Sequence, residues 1–243
     1  MAAKKIYIYG KHAVREALLQ VPQIISAVYL APTMKDEEIR DLIRQAGLNT
    51  QKLDPAKATS MVEGNAPHQG IVALVSLGAL TVSFEKFLDT YKTEGSCLVF
   101  LDGIQDPHNV GSIVRTAAAF GASAVLMVQQ KQSPITGAVI KASAGAAFSI
   151  PLVTVTNIQQ ALAELKRRGV AIYGLAGEAT ESVADEDFSG PTLFVLGNEA
   201  DGLSGSARAL CTKLLRIPIS EQVESLNVAS AATAALYAWR TRR

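Results

Sequence analysis

From Ser96 onward the chain alternates short, continuously apolar runs with amphipathic stretches, and this alternation restricts the fold more than any other feature. The runs Cys97–Leu101, Ala124–Val128, Val170–Gly174 and Leu193–Leu196 are almost devoid of polar residues. Strands of that kind are buried on both faces, the condition of a parallel sheet covered by helices. Between them, Gly111–Phe120 and Ile158–Arg168 repeat apolar residues at helical spacing. Each is followed by a glycine, Gly121 and Gly169, suited to a left-handed helix end. The Ala-rich segment Val228–Arg240 reads as a closing helix. The expected class is therefore α/β with a mainly parallel sheet, in which ligands bind at the C-terminal ends of the strands.

Residues 1–76 read as a smaller α/β unit. Strands are expected at Ile6–Tyr9, Ile24–Leu30 and Gly70–Val75, and helices at His12–Leu19, Asp36–Ala46 and Pro55–Met61. Residues 77–95, with Gly78, Ser83, Gly95 and a short helix near Phe84–Tyr91, are read as a linker to a larger unit at 96–243.

Several functions are disfavoured by what is missing. No G-x-G-x-x-G follows the strand ending at Leu101, and the chain has no G-x-x-x-x-G-K-[ST] and no G-x-S-x-G after a strand. Two cysteines, Cys97 and Cys211, make neither a disulfide framework nor a cysteine zinc site. His12, His68 and His108 are far apart and no H-E-x-x-H occurs, so no metal is expected. The start of the chain reads as a strand and not a secretory segment, and no apolar run of about 18 residues occurs, so a cytoplasmic protein without a membrane span is expected. The chain has 23 Lys and Arg against 22 Asp and Glu, a net charge of +1, which by itself gives no sign of nucleic acid.

Three polar clusters fall at strand ends. The first runs from Asp106-Pro-His-Asn109 to Arg115-Thr-Ala, where Asn109 is a candidate helix cap and Arg115 is able to reach back toward an anion at the helix start. The second is Leu196-Gly197-Asn-Glu199 with Gly202-Leu203, where Gly197 allows close backbone approach and Glu199 supplies a carboxylate. The third is Ile217-Pro218 with Ser225-Leu226-Asn227-Val228, which holds two cap-type residues where one suffices. Taken singly, these clusters fit equally a capped helix with an exposed arginine, an acidic turn and a tight helix contact.

Taken together, in this order, they resemble the three motifs of the SpoU (TrmH) family of RNA ribose 2'-O-methyltransferases, of the SPOUT superfamily. Tyr9-Gly-Lys-His-Ala-Val14 and His68-Gln-Gly-Ile71 are similar to the branch that methylates a guanosine ribose in the peptidyl-transferase region of 23S rRNA. The resemblance implies a C-terminal α/β domain with a deep trefoil knot and an N-terminal L30e-like RNA-binding domain. It implies S-adenosyl-L-methionine (AdoMet) held by Gly197, Ile217 and Leu226. It assigns catalysis to Arg115, Asn109, Glu199, Ser225 and Asn227, and a homodimer whose active site is completed across the interface. Family practice gives the activation of the 2'-hydroxyl to Arg115. A guanidinium resists deprotonation, so holding a neighbouring phosphate is the cheaper role, with His108 as a second candidate base. Lys11, His12 and Arg15 form a modest candidate RNA-contact patch. Two relatives of this reading are a tRNA ribose methyltransferase and a resistance-type rRNA methylase. A different class is a non-catalytic RNA-binding or ribosome-assembly module.

Overall fold

The computed structural model describes residues 5–62, 66–129 and 132–242. The first part of the chain folds as β1 (Lys5–Tyr9), α1 (Lys11–Gln20), β2 (Ile25–Leu30), α2 (Glu37–Gln45), β3 (Thr50–Lys52), α3 (Pro55–Met61) and β4 (Ile71–Ser76). It continues as β5 (Thr81–Ser83), α4 (Phe84–Thr90), β6 (Cys97–Asp102), α5 (Pro107–Phe120), β7 (Ala124–Val128), α6 (Gly137–Ala142), β8 (Leu152–Val155) and α7 (Ile158–Arg167). The remainder is β9 (Ala171–Leu175), β10 (Glu181–Ser182), β11 (Thr192–Gly197), α8 (Gly205–Arg208), β12 (Lys213–Arg216) and α9 (Val228–Thr241).

Two sheets result. The smaller has the order β1-β4-β2-β3, with β4 antiparallel to both neighbours. The larger has the order β10-β12-β9-β11-β6-β7-β8-β5, and every pairing in it is parallel. Its central strands alternate between two cores, as a period of two requires. Val99, Leu101, Phe194 and Leu196 face the core shared with α5, α6 and α9, where Ile113, Val139 and Trp239 are buried. Leu98, Phe100, Leu193 and Val195 face the opposite core, with Phe87 of α4, Leu162 of α7 and Ala207 of α8. Each fully buried side chain of this kind contributes about 1.5–3 kcal/mol.

The stretch 77–95 is not plain linker. Thr81–Ser83 pairs with Leu152–Thr154 as the outer strand of the large sheet, and α4 covers the Phe100 face. The pattern misled because Thr81-Val-Ser83 is only three residues long and half-buried, too short to show a period. Strands β8, β10 and β12 and helix α6 were likewise not legible. Lys213-Leu-Leu-Arg216 starts and ends in charges that lie near the sheet edge, where Lys213 bonds to Glu186 and Glu181. Gly121 and Gly169 have φ of +76° and +84°, the left-handed ends expected of them.

Candidate active site

The first cluster begins with a corrected helix start. Asp106 accepts a hydrogen bond from the His108 amide at 2.8 Å, and Pro107 takes the first helical position, so α5 begins four residues before Gly111. Asn109 is therefore not the cap. It stands in the first turn with its side chain free for other partners.

At the end of β11 the chain folds back on itself. Asn198 and Gly202 pair through both backbone groups, and the Asn198 Oδ1 accepts from the Ala200 amide at 2.7 Å. Its Nδ2 donates to the Gly103 carbonyl at 2.9 Å and so ties this loop to the end of β6. Asp102 adds a second tie by accepting from the Ser204 amide at 2.7 Å. A Cβ on Gly197 would lie 2.2 Å from the Gly202 carbonyl carbon. The glycine is thus required by the returning backbone of its own loop, a different reason from ligand approach.

Asn227 caps α9, accepting from the amides of Ala229 at 2.9 Å and Ser230 at 3.4 Å. Ser225 is left over, as the surplus of cap residues implied. With its oxygen committed to the helix, Asn227 turns its Nδ2 toward Asn109 Oδ1 at 2.9 Å. Asn109 in turn donates from Nδ2 to Glu199 Oε1 at 2.5 Å. The donors run in one direction, from helix cap to carboxylate, and no other orientation of the two amides satisfies all three partners. The starts of two helices and the loop after β11, separated by up to 118 residues, are joined by this chain.

Beside it lies a cleft of about 430 Å³ at the C-terminal ends of β9, β11 and β12, within the ~300–1,000 Å³ usual for small-molecule sites. Gly197, Glu199, Ile217, Ser225, Leu226 and Asn227 all line it. So do residues that sequence reasoning missed: Leu175 at the end of β9 and the following residues 176–178, Asn198, and Arg208, whose Nη1 bonds Glu178 at 2.6 Å. The only sequence sign for the first was Gly177 just past an apolar strand. The pair holds the Glu178 carboxyl below its ordinary pKa, first through its hydrogen bonds, with its own backbone ahead of Arg208. The lining carries Glu178, Glu199, Asp201 and Glu224 against Arg208, a net negative wall with an apolar floor of Leu196, Leu215 and Ile217.

Arg115 is not drawn into this constellation within the chain. It lies exposed on α5, and neither it nor His108 has a side-chain hydrogen bond or ion pair among the described residues. Lys11 and Arg15 are in ion pairs, with Asp36 at 3.1 Å and with Glu38 and Glu16 at 2.7 and 3.0 Å, while His12 is exposed. Among the described residues no group of three or more His, Cys, Asp or Glu side chains is placed to hold a metal, and no helix is long and apolar enough to cross a membrane.

A parallel sheet with a cleft at its C-terminal edge, and a hydrogen-bonded chain that ties two of its lining residues to the start of α5, define a ligand-binding α/β protein. The family model described as the SpoU rRNA Methylase family matches residues 96–237, and that for RNA 2'-O ribose methyltransferase substrate binding matches residues 7–77. The chain belongs to the SpoU rRNA methylase family. It is 38% identical to the 23S rRNA (guanosine-2'-O-)-methyltransferase RlmB of Pseudomonas syringae pv. tomato, over 95% of this chain and 93% of the relative. It is 35% identical to the RlmB of Ralstonia nicotianae, over 98% and 95%. The crystal structure of the SpoU methyltransferase AviRb from Streptomyces viridochromogenes in complex with AdoMet superposes with a TM-score of 0.82 at 24% identity, over 98% of this chain and 90% of that one, which shows the same fold.

Proposed function

We propose that the protein is an AdoMet-dependent RNA methyltransferase that methylates the 2'-oxygen of a guanosine ribose in 23S rRNA, in its peptidyl-transferase region. The observation that carries this reading is that the second and third motif clusters line one cleft, while Asn109 of the first is bonded in series with two of its lining residues, Asn227 and Glu199. The relatives named for this reaction, which align over nearly the whole chain, support the substrate.

The residues present fit AdoMet. The apolar floor suits an adenine ring, and the acidic lining suits a sulfonium and an ammonium group. Gly197, Ile217 and Leu226 hold it. AdoMet supplies an electrophilic methyl group, and the rest of the chemistry falls to this chain. The target hydroxyl is a weak nucleophile and must be aligned and relieved of its proton. Arg115 grips the phosphate beside the target ribose and favours the ionised 2'-oxygen, whose proton passes to His108 or to solvent. Asn109, Glu199 and Asn227 fix the approach of the nucleotide, and Ser225 supports the loop. Arg115 is exposed on α5, and Thr116 and Phe120 of the same helix meet the exposed Thr233 and Tyr237 of α9; this uncovered two-helix face supports a homodimer in which a second copy completes the site.

The return of the chain from β12 through residues 217–227 to α9, which lines the same cleft as the loops of β9 and β11, is the segment we assign to the trefoil knot. Residues 1–76 form the L30e-like RNA-binding domain, with His12, Lys11 and Arg15 at its RNA face. Residues 77–95 connect it to the catalytic domain at 96–243 and contribute β5 to that domain's sheet and α4 to the layer that covers it. Lys11 and Arg15 exchange their acidic partners for phosphates on binding. The enzyme works in the cytoplasm.

The test is labelled AdoMet with unmodified 23S rRNA and with tRNA, followed by mapping of the modified nucleotide. A single methylated guanosine ribose in 23S rRNA is the expected result, and label in tRNA alone overturns the assignment. Arg115→Ala is expected to abolish transfer while calorimetry still finds AdoMet bound. Loss of cofactor binding in that variant would remove Arg115 from its role.

A further inference from the structure

Helix α6 takes no part in the cleft, yet it stands between the two sheets and is held on both sides at backbone distance. A Cβ on Gly111 of α5 would lie 2.4 Å from the Ala142 Cβ and 2.7 Å from the Val139 carbonyl oxygen. A Cβ on Gly137 would lie 2.2 Å from the Tyr7 carbonyl oxygen of β1 and 2.7 Å from the Tyr9 ring. Just past the helix, a Cβ on Gly145 would lie 2.6 Å from the Glu16 Cβ of α1. Three glycines thus step from the helix of Asn109 and Arg115, across α6, to the N-terminal unit. The Lys141 ammonium closes the joint. It donates to the Pro67 carbonyl at 2.9 Å and lies 5.2 Å from the centroid of the Tyr9 ring. One apolar core runs through the same place, from Val14 through Val139 and Ile140 to Ile113. At each contact a glycine backbone lies directly against its neighbour and has no side chain of its own to repack, so the register is narrowly fixed.

We propose that α6, with Lys141 as its positioning residue, holds the N-terminal unit in one orientation to α5, so that RNA gripped by that unit presents its ribose at the cleft. The functional half of this rests on the methyltransferase reading above. The orientation comes from the α6 joint and not from the connection at residues 77–80.

The test uses the full chain with four changes made separately: Gly137→Ala, Lys141→Met, Lys141→Arg, and a Gly-Gly-Ser-Gly insertion after Gly78. Steady-state methylation of unmodified 23S rRNA gives KM and kcat, calorimetry gives AdoMet affinity, and hydrogen exchange follows the amides of α1 and α6 without RNA. Lys141→Met is expected to raise KM for RNA by about tenfold, the scale of one lost charge-assisted hydrogen bond. Gly137→Ala is expected to do the same or more, with kcat and AdoMet affinity kept within about twofold. Lys141→Arg restores KM, and the insertion leaves it unchanged. Should Gly137→Ala not fold, Lys141→Met and its arginine rescue decide the matter. Faster exchange in α1 and α6 with no change in KM overturns the positioning role, as does a rise in KM produced by the insertion alone. If the parent chain does not methylate 23S rRNA, the functional reading fails instead. The exchange data then decide the joint by themselves, since unchanged exchange in both Gly137→Ala and Lys141→Met refutes it.

Discussion

At the scale of single residues, the candidate site is governed by the direction of its hydrogen bonds. Asn227 must offer its oxygen to the start of α9, so Asn109 must offer its amide to Glu199. Asn109→Asp keeps the shape and reverses the sign. Two carboxylates then oppose each other where 2.5 Å separates the present pair, and each resists ionisation of the other. The lost charge-assisted bond alone is worth about 1.5–3 kcal/mol, so methyl transfer is expected to fall by about tenfold or more at neutral pH. Because repulsion raises the pKa of the pair, part of the activity returns as the pH is lowered. A pH profile of the variant parallel to that of the parent would contradict this. Much of the site was legible, since the motifs name Gly197, Glu199, Ile217, Ser225, Leu226 and Asn227, and all six share one cleft. Asn109 was misread as a cap because Asp106, three residues earlier, is an equally good one. Asn198 and Asp102 were missed because their partners are backbone groups 95 and 102 residues away, which no local pattern announces.

At the scale of elements, the interior of the large sheet was readable and its margins were not. Strands β6, β7, β9 and β11 are buried on both faces and show it as unbroken apolar runs. At the β9–β12 margin, polar groups share the work of holding the strands. Tyr173 of β9 packs edge-on against Phe188 and donates to Glu186 at 3.0 Å, while Lys213 of β12 donates to the other Glu186 oxygen at 2.9 Å. Burial first, and then the Glu186 hydrogen bond, push the Tyr173 pKa up to about 12. Glu186 and Glu181 push the Lys213 ammonium up as well. Both folded values exceed the unfolded ones near pH ~10, so the folded state holds more protons in that range. The Tyr173 stabilisation is complete below about pH 10 and is lost as the pH climbs through about 12, and that of Lys213 is lost at still higher pH. Urea unfolding at stepped pH is expected to show a fall in stability over that alkaline window. Tyr173→Phe should make the fall shallower, at a neutral-pH cost of about 0.5–1.5 kcal/mol for the hydrogen bond it removes. An equal alkaline fall in both proteins would detach Tyr173 from it.

At the scale of the whole molecule, the sequence divides more cleanly than the structure does. Composition and pattern change near residue 77, and the two family matches fall on either side of a gap at 78–95. The buried residues ignore that boundary. Ile8, Val14 and Ala73 of the N-terminal sheet unit belong to the same core as Val139, Ile140, Phe148 and Ile113. Charge balance was equally uninformative, since residues 1–76 carry nine basic and seven acidic groups and the RNA-facing candidates Lys11 and Arg15 are already paired. Two tethered domains would melt independently, each with its own transition. A shared core makes either unit costly to keep without the other, because unfolding one exposes Val139, Ile140 and Phe148 or their partners at about 25 cal/mol per Å² of apolar surface. Scanning calorimetry of the full chain is therefore expected to give a single transition with equal calorimetric and van't Hoff enthalpies at a concentration where the transition no longer shifts on dilution. Residues 77–243 alone are expected to melt at a lower temperature than the full chain. Two resolved transitions, or an excised unit that melts where the full chain does, would show that the units are only tethered and that the joint at α6 contributes nothing to the fold.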